Sequence, residues 1–106
     1  MSTLSEQEFR VTSDDAIGAA RQALLPLADA HEFEVELQNG LLNIVFEEPR
    51  EAKFVVSPNA PVRQIWVSAM SRSFKLSWDA DRAVFALNGE SLPALLDRLC
   101  REFLAA

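Results

Sequence analysis

The sequence predicts an α+β fold: a two-layer α–β sandwich, with N- and C-terminal helices packed on one face of a five- to six-stranded antiparallel sheet. Three observations predict it. A capped helix start stands near the beginning, at Leu4-Ser5-Glu6-Gln7-Glu8-Phe9, and a leucine stripe at helical spacing stands near the end. Between them lie short apolar–polar alternations separated by turn residues, among them Asn39-Gly40 and Asn88-Gly89. The chain has 106 residues and no repeat or linker, so one domain spanning 1–106 with one modest core is expected.

In the first helix Ser5 is the cap, Glu8 closes an S-x-x-E box, and Leu4 is placed to staple onto Phe9. Phe9, Ser13, Ala16, Ala20, Leu24 and Leu27 then recur on one face. Ser13-Asp14 is a rival start. Pro26 removes an internal hydrogen bond, so the helix is expected to end or kink near Leu25. In Glu32 to Leu37 the apolar Phe33, Val35 and Leu37 face inward and the three glutamates face out. Asn39-Gly40 turns the chain into a second strand, Leu41 to Phe46, and Glu47 to Glu51 is a polar loop. Strands at Lys53 to Ser57 and Gln64 to Ala69 flank the link Pro58-Asn59-Ala60-Pro61. Phe74 to Trp78 and Ala83 to Leu87 pair around Asp79-Ala80-Asp81, and Asn88-Gly89 ends the sheet. Ser91 caps the last helix, with Pro93 in its first turn and Leu92, Leu95, Leu96, Leu99 and Phe103 as its buried stripe.

Composition narrows the function. No apolar run approaches the ~20 residues that span a bilayer, so no membrane partner is expected. The N-terminal segment is acidic and polar, unlike a secretory signal. One cysteine, Cys100, forms no internal disulfide and fits a reducing cytoplasm. A net charge of −6 argues against nucleic acid and suits cations or a basic protein patch, though it also serves plain solubility. There is no Cys/His cluster and no glycine-rich phosphate loop. With a single histidine, His31, in an expected loop, no nucleophile–base pair stands out, and no catalytic residue is assigned.

Two features remain. On the strand Gln64 to Ala69, Ile65 and Val67 serve the core, which leaves Trp66 on the opposite face beside Gln64 and Ser68. A tryptophan there either lies beneath a covering element or anchors a partner. The second feature is carboxylate. Glu32, Glu34 and Glu36 recur at a spacing of two, ~7 Å apart on one strand face. Like charges this close repel and together attract a hard cation, with Asp29, Asp14 and Asp15 as neighbours. A row is not a cage, so binding is expected to be weak; the same pattern also guards an edge strand against aggregation.

At this point the residues resemble the frataxins, including bacterial frataxin-like proteins. Phe54 to Ser68 is similar to that family's strand–(Pro)–strand signature, with Gln64-Ile65-Trp66-Val67-Ser68 in place of Gln-Ile-Trp-Leu-Ser. Gly40-Leu41-Leu42-Asn43-Ile44 resembles a family hairpin strand, Gly89-Glu90-Ser91-Leu92 the start of its second helix, and Trp78 a second family tryptophan. The resemblance implies weakly bound iron (Fe²⁺ or Fe³⁺), contact with the cysteine desulfurase and scaffold proteins of iron–sulfur cluster assembly, and a cytoplasmic monomer with iron-dependent oligomers. It also brings the ferroxidase activity ascribed to some frataxins. The acidic strand positions match Glu32, Glu34 and Glu36, whereas the helix is poor in acids, with Glu6, Glu8, Asp14 and Asp15 early and Asp29 late. The partner face implied by the resemblance comprises Trp66, Gln64, Ser57, Asn59, Lys75 and Ser68. Lys75 there replaces an arginine, losing bidentate geometry. The alternative is a small acidic interaction module, such as a secretion-type chaperone without metal function; those work as dimers with exposed apolar patches.

Overall fold

A computed structural model describes residues 4–105; residues 1–3 and 106 of the expected domain and N-terminal segment lie outside it. Helix α1 spans Glu6–His31. Its start is the expected capping box: the Ser5 hydroxyl accepts from the Glu8 N–H at 3.1 Å, and the Glu8 carboxylate accepts from the Ser5 N–H at 2.8 Å. These bonds hold the Glu8 carboxyl below the usual carboxylate range. The rival start at Ser13-Asp14 is therefore an interior turn, and Ser13 is buried with its hydroxyl donating to the Arg10 carbonyl.

The helix does not stop at Pro26. It continues to His31, with Leu27 and Ala28 buried. Pro26 and Gln22 both lie on the exposed side. The Gln22 carbonyl that proline deprives of its donor can therefore be hydrated, and the buried side keeps its packing. The buried stripe also takes in Ile17, with Ala16 only half-buried. Glu32 closes α1 in the left-handed conformation, φ 57°, its N–H donating to Ala28 O, and the Phe33 N–H bonds the same carbonyl at 3.2 Å.

Seven strands follow in chain order, each antiparallel to the next: β1 Glu34–Gln38, β2 Leu41–Phe46, β3 Ala52–Asn59, β4 Gln64–Ala69, β5 Arg72–Asp79, β6 Val84–Leu87 and β7 Glu90–Ser91. That is one strand more than the upper expectation. Asn88-Gly89, expected to end the sheet, is a two-residue hairpin turn flanked by the pair Leu87↔Glu90. Strand β3 runs on through Pro58 to Asn59, where the sequence suggested a link. The last β3 residue paired to β2 is Val56, so Pro58 is laddered on one side only, to β4. A 3-10 turn, Ala60–Val62, then leads into β4.

Helix α2, Leu92–Ala105, lies with α1 on one sheet face. The core between the layers holds Phe9, Ile17 and Leu24 from α1, Leu42, Ile44, Phe54, Ile65, Leu76 and Phe85 from the sheet, and the expected leucine stripe with Phe103 from α2. Phe46 anchors one end, its ring centroid 4.7 Å from Phe33 and 4.4 Å from Phe103. Phe85 anchors the other, 5.7 Å from Phe9 and 5.1 Å from Trp78. Leu37 departs from expectation. It shares the parity of Val35 but remains 45% exposed near the end of the edge strand β1. Among the described residues the opposite face of the sheet carries no helix, and no helix is long and apolar enough to cross a membrane.

Candidate functional site

The open sheet face collects every residue of the expected partner surface. Strand register sets this: Ser57↔Trp66↔Lys75 is one cross-strand row, Asn59↔Gln64↔Ser77 the next, and Val55↔Ser68↔Ser73 a third. Partners in such rows point to the same face. Trp66 is half-buried, flanked by polar side chains and not covered by a helix. Its indole Nε1–H donates to Gln64 Oε1 at 3.0 Å. Gln64 in turn donates through Nε2 to Ser77 Oγ at 3.3 Å. Lys75 Nζ stands 4.8 Å from the centroid of the Trp66 ring, within cation–π range. The indole is thus held from two sides before any partner arrives. Ser77 joins this face as well; its sequence signal is the β5 alternation, in which Lys75 and Ser77 share a parity opposite to Leu76.

The acidic residues are less concentrated than the sequence suggested. Glu34 and Glu36 do share the open face of β1, opposite Val45 and Asn43. Glu32 does not join their row, because the left-handed end of α1 takes it out of the strand. It lies instead around a shallow hollow with Glu34, Glu47, Glu51 and Lys53. Glu47 and Glu51, from the β2–β3 loop, are carboxylates that strand spacing could not reveal. Lys53 lies in the row Glu34↔Val45↔Lys53, about 10 Å from Glu34 at the ordinary strand spacing, and offsets part of the charge. Asp29 is exposed in the last turn of α1. Asp14 and Asp15 lie roughly 20 Å away from it along the helix axis and line other concavities. Among the described residues no three His, Cys, Asp or Glu side chains are grouped so as to hold a metal ion. The donor set fits a loosely held, hydrated hard cation and does not fit an inner-sphere cage.

Cys100 is fully buried, and burial, with the nearby Asp97 adding to it, pushes its thiol up to about 12. It is a core side chain and no nucleophile.

Comparison with known proteins gives one consistent result. The family described as "Frataxin-like domain" matches residues 2–106. A protein of Cupriavidus pinatubonensis named "Iron-sulfur cluster assembly protein CyaY" is 32% identical over 99 residues, covering 91% of this chain and 86% of its own. One of the same name from Pseudomonas aeruginosa is 32% identical over 92 residues, covering 83% of each. Among solved structures, a frataxin from Psychromonas ingrahamii superposes with a TM-score of 0.67 over 94% of this chain and 91% of its own; at 13% identity that likeness speaks for the fold alone.

Proposed function

The chain belongs to the frataxin-like family, and from that premise we propose that it acts in iron–sulfur cluster assembly as a non-catalytic regulator or iron donor. In this reading its open sheet face docks on a cysteine desulfurase or scaffold protein, with Trp66 as the anchor. Gln64, Ser57, Asn59, Lys75 and Ser68 form the polar surround. Iron is cargo, drawn weakly to Glu34 and Glu36 on β1 and to Glu32 beside them, with Asp29 nearby. The observation that carries the reading is the indole of Trp66, oriented by Gln64 and Lys75 on a face without a helix. Large aromatic side chains ringed by polar groups are the usual centres of protein interfaces. The names of the two relatives support the pathway.

A second reading, a purely acidic interaction module, gains from the dispersal of the carboxylates and the lack of a three-ligand grouping among the described residues. One experiment separates them: resonance titration of the isotope-labelled protein, once with ferrous iron under anaerobic conditions and once with a cysteine desulfurase. The first reading requires Trp66, Gln64 and Lys75 to respond to the desulfurase, and Glu34 and Glu36 to iron. Response to the protein without response to iron leaves the module. Response to neither removes the first reading.

A further inference from the structure

A second concavity lies on the other side of the sheet, away from Trp66. Helix α1 lines it with Thr12, Asp15, Ala16 and Ala19, spaced i, i+3, i+4 and i+7 and therefore on one stripe. The facing wall is Trp78 of β5 with Val84 and Phe85 of β6, and the N-terminus of α2 closes one end. The groove has a volume of about 310 Å³. Small side chains at 16 and 19 keep it open, while Phe85 holds the Trp78 ring from one side at 5.1 Å with the planes 62° apart. Its walls are mostly apolar, and Asp15 is the one ionisable residue among them. Asp15 has no ion-pair partner among the described residues.

This combination selects by charge. An apolar slot with an indole wall accepts the body of a one-ring molecule, and its volume is at the lower end of the ~300–1,000 Å³ usual for ligand pockets. A free carboxylate at the rim, beside an aromatic face, favours a cation and disfavours an anion. The net charge of −6 adds to the same bias at longer range. We propose that this groove binds a small organic cation: a primary ammonium on an aromatic body, the ring against Trp78 and Phe85 and the ammonium directed to Asp15. The site is independent of the docking face and of iron.

The test is a resonance titration of the full chain with phenethylammonium, its neutral analogue 2-phenylethanol and its anionic analogue 3-phenylpropionate, at fixed ionic strength. The expected result is a saturable shift of the Trp78 indole N–H and of the amides of Asp15, Ala19 and Val84. The ammonium should bind roughly fivefold more tightly than the alcohol, the scale of one exposed ion pair plus a cation–π contact. The Asp15→Asn variant, altered at an exposed position, should lose that preference while still binding the alcohol. Ala19→Leu should fill the slot and abolish binding of all three. Equal affinity for ammonium and alcohol, an undiminished preference in Asp15→Asn, or no saturable shift at Trp78 would each overturn the proposal.

Discussion

Lys75 Nζ stands 4.8 Å above the Trp66 ring, across the β4–β5 pair that puts the two residues opposite one another. Ser57 pairs with the same tryptophan from β3, and Gln64 Oε1 accepts a hydrogen bond from its indole N–H. The indole is therefore held in place by neighbours on β4 and β5, although no helix among the described residues covers it. Ordering a large side chain beforehand lowers the entropy lost when a partner docks.

The first prediction follows from that arrangement. Trp66 lies outside the buried core, so Trp66→Ala should leave the fold intact and lower stability by no more than about 1 kcal/mol, the span of strand preferences. It should weaken binding to a cysteine desulfurase or scaffold by at least ~2 kcal/mol, the scale of an interface hot spot. Urea denaturation and titration calorimetry measure the two quantities separately. A variant that unfolds, or one that binds as well as the parent, would contradict the docking role.

A second prediction concerns the carboxylates. Replacing Glu32, Glu34 and Glu36 together by Gln should raise stability slightly without metal, by less than about 1 kcal/mol, because exposed like charges repel only weakly in water. The same variant should bind ferrous iron several-fold more weakly. Glu51→Gln, in the hollow shared with Glu32 and Glu34, should weaken iron further when added to the triple variant. Iron binding undiminished by all four changes would place the cation elsewhere.

How much of this was legible in the sequence depended on how local each cause is. The capping box at Ser5 and Glu8, the leucine stripe of α2 and the outward parity of Trp66 all follow from spacing within a few residues, and all are present. The errors came from causes that spacing does not carry. Pro26 is tolerated because it falls on the hydrated side of α1, which only the helix's docking on the sheet decides. The i, i+2 spacing puts Glu32 in the β1 row, but the chain needs a left-handed residue there to leave α1. Glu47 and Glu51 join the acidic hollow through the turn of a loop, a long-range consequence of β2–β3 pairing.

The β4–β5 turn supplies a third prediction. Ala69 pairs with Arg72, so Met70 and Ser71 alone make the connection, with φ of 50° and 63°. Two positive φ values are the mark of a type I′ turn, which Asn-Gly adopts readily and which costs side chains with a branched or long Cβ substituent. Each left-handed residue other than glycine or asparagine costs on the order of 1–2 kcal/mol. Met70→Asn combined with Ser71→Gly should therefore raise stability by about 1–2 kcal/mol, part of the gain being lost to the greater freedom of glycine in the unfolded chain. The rise should appear as a higher urea midpoint at unchanged slope. Unchanged or lowered stability would show that the half-buried Met70 contributes packing that outweighs the turn.

The last prediction is the behaviour of Cys100 with pH. Its thiol, ordinarily ionising near 9.0, is pushed up to about 12 in the folded protein, chiefly because burial excludes the thiolate from water. In the unfolded chain it ionises at its usual pH. Between those two values the unfolded state releases a proton that the folded state retains, so stability is fully present below pH 9.0 and falls as pH rises toward about 12. The thiolate is the reactive form, so the native thiol should resist aromatic disulfide reagents at neutral pH and react only as fast as the protein opens. Cys100→Ala removes the thiol's share of the alkaline slope and leaves the share of the lysines, at the cost of a small cavity beneath α2. Two measurements decide: the reaction rate against denaturant concentration, and the alkaline limb of stability in parent and variant. Rapid labelling of the native protein, or an alkaline limb identical in Cys100→Ala, would mean that the thiol is not sealed in the core.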